Sequence, residues 1–221
     1  MALERAAIIA AALDLLDTGG IEGLTMRKLA EVLGVQAPSL YWHFPGKPAL
    51  LDDMADALLA DVARDLHPAR GHEASLRQVA AEMRGALLAR RDGALVFAGT
   101  FVLRDNVMRL GDATIGTLRQ AGFDDLTAVR ATFSLFYFVL GFVIEEQALG
   151  RVPAPDVVGL AEAARRFPHL LATLPHIIEA DHDSRFAFGV DLIIRGLGTP
   201  PAGVDHQFDA IVRAFSKDRG R

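Results

Sequence analysis

The sequence predicts an all-α fold, an N-terminal three-helix domain built on a helix-turn-helix followed by a larger C-terminal helical domain, on three observations. Apolar residues recur at spacings of three and four along most of the chain, no segment alternates as a strand would, and glycines and prolines stand where helices must start or stop. The sharpest of these signals lies in residues 25–43, where two short helices are joined by a tight turn.

Taking the elements in order, Ile8, Ala11, Ala12, Leu15 and Leu16 form the stripe of a first helix that Gly19 and Gly20 end. Thr25 supplies a capping hydroxyl for the next helix, in which Met26, Leu29, Ala30 and Leu33 share one face and Arg27, Lys28 and Glu31 face outward. Gly34 permits the left-handed backbone of the turn, and Pro38 suits the first turn of a helix because its missing N–H needs no partner there. Phe44 precedes Pro45, which pushes it out of the helical region and closes that short helix at His43. Pro48 opens a longer connector helix with Leu51, Met54, Leu58 and Val62 on one side, expected to run to about Leu66. A break at residues 67–71 separates a helix-turn-helix domain, 1–67, from a second domain, 68–198. Helices are expected there at about 73–91, 105–121, 126–149, 154–165, 168–180 and 184–197, with a tail at 199–221.

Composition narrows the function. With 51% hydrophobic residues in 221, the chain can bury a sizeable core, and the absence of cysteine fits a reducing cytoplasm. The longest nearly uncharged run, 131–144, is shorter than the roughly 20 residues that span a bilayer, so a buried helix and no membrane partner are expected. Phe133, Phe136, Phe138, Val139, Phe142 and Val143 leave that helix apolar all round, and Phe186, Phe188, Val190 and Leu192 do the same near 184–197. Such helices must be covered on every side, which predicts a homodimer joined by a four-helix interface. Charge is less obliging: up to His67 ten acids oppose five bases, whereas nucleic-acid binders usually show a basic footprint. Between residues 25 and 50, however, Arg27, Lys28 and Lys47 oppose Glu31 alone.

GIEGLTMRKLAEVLGVQAPSLYWH, ALLARRDGA, LGFVIEEQ and FGVDLIIRGL together resemble the tetracycline repressor branch of the TetR family of transcriptional regulators, over most of the chain from Arg5 to Leu197. The resemblance implies an all-helical homodimer whose small-molecule effector loosens its hold on double-stranded operator DNA. By position it implies DNA contacts from Arg27, Ala37, Pro38, Ser39, Tyr41, Trp42, His43 and Lys47, to which the charge pattern adds Lys28. Arginine can make paired hydrogen bonds to a guanine edge, and hydroxyls and lysines can hold phosphates. Ala37 departs from the glutamine common in that branch, so a different operator is expected. Trp42 has a second reading, as a plug between the short helices.

The same resemblance places two histidines, an asparagine and a glutamate around a magnesium-chelated drug, and the aligned residues here are Ala63, Phe97, Val79 and Glu145. With both imidazoles gone, an apolar or aromatic effector bound without metal is expected, with Met83, Thr100, Phe101, Val102, Tyr137 and Phe142 as further neighbours and no cofactor. Each phenylalanine taken alone also reads as plain core. Two other classes compete: a magnesium-dependent prenyl-diphosphate enzyme using Asp52, Asp53 and Asp56, whose spacing places carboxylates on one helix face, and a small-molecule sequestering bundle. His169, His176 and His182 lack a fourth ligand for zinc.

Overall fold

The computed structural model describes residues 3–67, 70–98, 103–151, 156–178 and 181–199. Among these it forms eleven helices and no strand. The first four, α1 (Arg5–Gly23), α2 (Met26–Val32), α3 (Ala37–Tyr41) and α4 (Lys47–Leu58), enclose one apolar core around Ile8, Leu16, Leu29, Leu40, Phe44 and Met54. The remaining helices are α5 (Gly71–Leu88), α6 (Gly93–Ala98), α7 (Asp105–Gln120), α8 (Asp125–Leu149), α9 (Val157–Ala164), α10 (Pro168–Ile178) and α11 (His182–Leu197). Here α8 is the axis, with α5, α7 and α11 laid against it over Val79, Met83, Leu110, Leu135, Val139 and Phe186. Phe97, Leu58 and Val107 pack against both cores and join them.

The helix-turn-helix forms as the local chemistry dictates. Thr25 accepts the Lys28 N–H at 3.2 Å, Gly34 turns at φ 65°, and Pro38 sits in the first turn of α3. Gly20, with φ 66° and ψ −178°, kinks α1 where its end is expected, and the chain resumes helix for one more turn.

The connector departs from expectation. It stops at Leu58 instead of about Leu66, and Ala63 takes φ 56°, a left-handed backbone that costs a residue with a Cβ about 1–2 kcal/mol. Tertiary bonds hold the unwound turn. Arg109 donates to the carbonyls of Leu59, Ala60 and Val62 at 2.6–3.0 Å, and Glu82 accepts the Ala63 N–H at 2.7 Å. The short α6 occupies a stretch for which no helix is expected.

The helices α8 and α11, expected to meet a second copy, show where uncovered surface lies. Neither is covered on every side within one chain: Leu126, Val129, Phe133 and Tyr137 are exposed on α8, and Phe188 and Leu192 on α11. By length and composition α8 could cross a membrane, yet its other face, through Ala128, Leu135, Val139 and Val143, is core. Meanwhile α9 and α10 pack chiefly on each other, and Arg185 on α11 donates to the carbonyls of His176 and Ile177 at the end of α10.

Candidate functional site

The first site is the outward face of α2 and α3. Leu40 is wholly buried and seats α3 on the core, so Pro38, Ser39 and Tyr41 of the same short helix, and Trp42 at its end, are left outside. Trp42 is 91% exposed, which overturns its reading as a plug. An indole set in water is apolar area awaiting a partner surface. Arg27 and Lys28 stand exposed beside it with no ion-pair partner among the described residues. Ala37 and His43 are half-buried.

Arg5, overlooked in the sequence, fixes the far end of this helix. Its guanidinium donates to the His43 carbonyl at 2.6 Å and to Asp53 at 2.6 Å, and lies 4.2 Å from the centroid of the Phe44 ring. Lys47 donates to the Ile21 carbonyl at 2.7 Å, tying the start of α4 to the end of α1. The arginine thus fixes the far end of the short helix, and the lysine fixes the start of the helix that follows it.

Acids on the other side of this head are occupied by the body. Arg90 reaches Asp14 and Asp17 at 3.0 and 2.6 Å. Asp53 takes Arg104 at 2.8 Å, and Asp56 takes the N–H groups of Asn106 and Val107. This removes the diphosphate reading of Asp52, Asp53 and Asp56, because two of its three carboxylates are committed to the start of α7. Asp92, at the turn between α5 and α6, accepts the Ile21 N–H at 2.9 Å and pairs with Arg151.

Burial opposes ionisation of Asp53 and Asp92, but their arginine partners outweigh it and hold both carboxyls below the usual range. A carboxyl depressed in the folded state stabilises fully above its unfolded pKa and loses that contribution as pH falls through the folded one. The melting temperature should therefore drop once pH passes below about 4, and Asp92→Asn should flatten part of that drop. Scanning calorimetry between about pH 7 and about pH 3 measures it, and an unchanged profile in the variant would rule Asp92 out as a contributor.

The second candidate site is divided. Ala63, Val79 and Met83 are buried in the body core, and Phe97 on α6 bridges the two cores. Tyr137, Phe142 and Glu145 instead line an open groove of about 420 Å³ on the outer face of α8, with Phe138, Leu149 and His182 beside them. Val79 and Met83 do not line that groove. Thr100, Phe101 and Val102 lie outside the described residues.

Under the groove is Arg84, the other residue the sequence reading missed. It donates twice to Glu146 at 2.9 and 2.6 Å and once to Asp183 at 2.6 Å, with the Phe186 ring 4.9 Å away. The Glu146 hydrogen bonds raise its already high pKa despite burial, so it stays charged. An acid near the end of a helix needs a cation, and Glu146 was the available signal. Glu145 has no such partner among the described residues and faces out.

Both parts of the chain match known protein families. Residues 8–54 match the model of bacterial regulatory proteins of the tetR family, and residues 67–200 match that of the tetracyclin repressor-like C-terminal domain. The tetracycline repressor protein class A from transposon 1721 of Escherichia coli is 43% identical over 88% of this chain and 90% of its own length. A possible TetR family transcriptional regulator from Streptomyces coelicolor A3(2) superimposes with a TM-score of 0.78 at 41% identity, covering 88% of this chain and 98% of that one. ActR from Streptomyces coelicolor in complex with actinorhodin gives 0.79 at 30% identity, with 88% and 96% covered. A single-substitution variant of TetR from Acinetobacter baumannii AYE in complex with minocycline gives 0.75 at 36% identity, with 93% and 98% covered.

Proposed function

Because this chain belongs to the TetR family of DNA-binding transcriptional regulators and is not an enzyme, we propose that it is a cytoplasmic homodimeric repressor, with a reading head at 1–67 and an effector-binding body at 68–198, released from its operator by an apolar or aromatic small molecule. The observation that carries the reading is α3: a helix of five residues anchored inward by Leu40 and offering Tyr41 and Trp42 to solvent beside Arg27 and Lys28. In this assignment α3 enters the major groove, with Arg27, Ser39 and Lys28 on base edges and phosphates, and Ala37, Pro38, Tyr41, Trp42, His43 and Lys47 around them. Two heads on a symmetric dimer meet successive grooves about 34–36 Å apart.

The divided second site supports the dimer. Among its described residues Ala63, Val79 and Met83 face inward while Tyr137 and Glu145 lie exposed on α8, so a second copy laid on α8 and α11 would bring Tyr137 and Glu145 of one protomer toward the other's body. Ala63, Val79 and Phe97 cannot supply imidazole or carboxylate to a cation, which favours an effector held without metal. ActR and the Acinetobacter baumannii TetR each hold a small molecule in their solved complexes, actinorhodin and minocycline.

The test begins with duplexes selected from a random pool by the full-length protein, followed by a small-molecule screen by thermal shift and release of the selected duplex. Arg27→Ala should cost about 1–3 kcal/mol of affinity and relax preference at one base pair, whereas Lys28→Ala should lower affinity evenly and reduce the salt slope by about one. Fluorescence anisotropy against matched and mismatched duplexes separates the two. Failure to select any duplex would remove the repressor reading, and ordinary-strength magnesium-dependent tetracycline binding by calorimetry would remove the metal-free effector.

A further inference from the structure

The helix assigned to the groove is preceded by a residue whose side chain makes no bond within the fold. Gln36 is the N-cap of α3, with extended backbone at φ −76° and ψ 139°, and its carbonyl accepts the Ser39 N–H at 2.9 Å. Its neighbours are committed inward. Val35 and Ala37 pack against the head core, and the Val35 N–H donates to the Ala30 carbonyl at 3.0 Å. Side chains alternate along extended backbone, so Gln36 between them is turned out and exposed. Asparagine, aspartate or serine at this place would cap the helix with its own oxygen. Glutamine makes no such cap, and its amide has no hydrogen-bond partner among the described residues. Natural sequences give up local stabilisation of this kind chiefly at functional sites.

The other side chains of this face discriminate poorly between bases. Ala37 offers a methyl group and Pro38 a ring without a donor. Ser39 has one hydroxyl, which pairs with any base. Tyr41 and Trp42 stand at the far end of the helix, and the Lys47 amine is occupied by the Ile21 carbonyl. Arg27 presents donors alone, the complement of the two acceptors on a guanine edge. Gln36 is the one exposed side chain in 36–42 that carries a donor and an acceptor in a single plane. That pair matches N7 and the 6-amino group of adenine, an arrangement no other base edge shows in the major groove. In a helix-turn-helix, base edges are met by the N-terminal residues of the second helix, which is where this amide stands.

We propose that Gln36 is a specificity-determining residue of this head: its side-chain amide, left unpaired by the fold, makes two parallel hydrogen bonds to one adenine in each half of the operator. The inference rests on the repressor reading and deepens it by naming a base that the chain demands. Arg27 on α2 and Gln36 at the start of α3 then divide the readout, the first selecting guanine and the second adenine, while the hydroxyls and Lys28 hold the backbone. Because the amide is uncharged, it adds discrimination without adding to the electrostatic part of the affinity.

Duplex selection from a random pool, repeated with full-length Gln36→Ala and Gln36→Glu, tests the assignment, with anisotropy on single-base-pair variants of the parent's half-site. The parent should prefer A·T at one position by about tenfold to a hundredfold, at a base pair separate from the one that Arg27→Ala relaxes. Gln36→Ala should lose that preference alone, keep its melting temperature and leave the salt slope unchanged. Gln36→Glu should move the preference at the same pair to C·G, since a carboxylate accepts from the cytosine amino group and has no donor for adenine N7. A purely structural role for Gln36 would not exchange one base for another. Unchanged preferences in Gln36→Ala would show that the amide reads nothing. An even loss across all sequences with a lower melting temperature would make Gln36 a support of the turn, and either result overturns the assignment. A Gln36→Glu protein that still demands A·T overturns it as well. These three outcomes leave the repressor reading intact, whereas a parent that selects no duplex removes that reading and this one together.

Discussion

Phe188→Asp should yield a folded monomer with operator affinity lower by about two to four orders of magnitude. Phe188 is 66% exposed in the single chain and Leu192, one turn on, is 55% exposed, so an aspartate there disturbs little within the protomer. On α8, Leu126, Val129, Phe133 and Tyr137 continue the same uncovered surface at spacings of three and four. The two helices present it as one plane because they approach closely: a Cβ on Gly189 would come within 2.2 Å of the Phe138 ring. A second copy related by a two-fold axis brings the same plane against itself, so each substitution is buried twice. An unpaired carboxylate in an apolar interface is far costlier than the phenylalanine it replaces. Once the copies separate, the second head no longer acts at the high local concentration its tether supplies, and a single short helix must hold the duplex alone. Light scattering and anisotropy on one preparation decide the matter. A dimer with parental affinity would mean that this face is not the interface.

How much of this was legible before the structure depends on where the determining contacts lie. Thr25, Gly34 and Pro38 act on their own turns, so the helix-turn-helix could be placed from residue types alone. The connector could not. Leu58 and Val62 continue its apolar stripe, and only Arg109 and Glu82, from distant helices, reveal why the helix stops before Ala63. Six residues of α6 are too few to show a period, and its start at Gly93 depends on packing against α4, α5 and α8. The effector residues taken from family resemblance do not form one cluster within a single chain, since Val79 lies inside and Glu145 outside. The acidic balance of the head, which argued against nucleic acid, is resolved by direction. Asp14, Asp17, Asp53 and Asp56 spend their charge on Arg90, Arg104 and the start of α7, leaving the face with Arg27 and Lys28 to its positive residues.

Gly93→Ala should be the most destabilising of the conservative changes, lowering stability by about 3 kcal/mol and the melting temperature by about 6–12 °C. A Cβ there would stand 2.3 Å from the Leu87 carbonyl oxygen, 3.2 Å from its carbon and 3.5 Å from the Leu87 Cα, so no flexible side chain can yield. The carbonyl cannot simply swing away. It accepts from Gln147 on α8 at 3.2 Å, and the same amide donates to Arg90 and takes the Ala94 N–H. Moving α6 instead shifts Asp92, whose left-handed φ of 57° already reflects the demands of this turn and whose carboxylate holds the Ile21 N–H of the head. Either accommodation leaves a part-buried polar group unpaired. Gly85, eight residues earlier in the interior of α5, makes the contrast: a Cβ there meets nothing within 4 Å and its φ is not left-handed. Gly85→Ala should therefore stabilise, by roughly 0.5–1 kcal/mol, because alanine loses less chain entropy in a helix. Opposite signs from the same substitution on neighbouring turns, read by calorimetry on both variants, distinguish close approach of backbone from a general intolerance of α5. A Gly93→Ala protein melting with its parent would show that the turn between α5 and α6 has room, and the packing of head, turn and α8 around Asp92 would have to be redrawn.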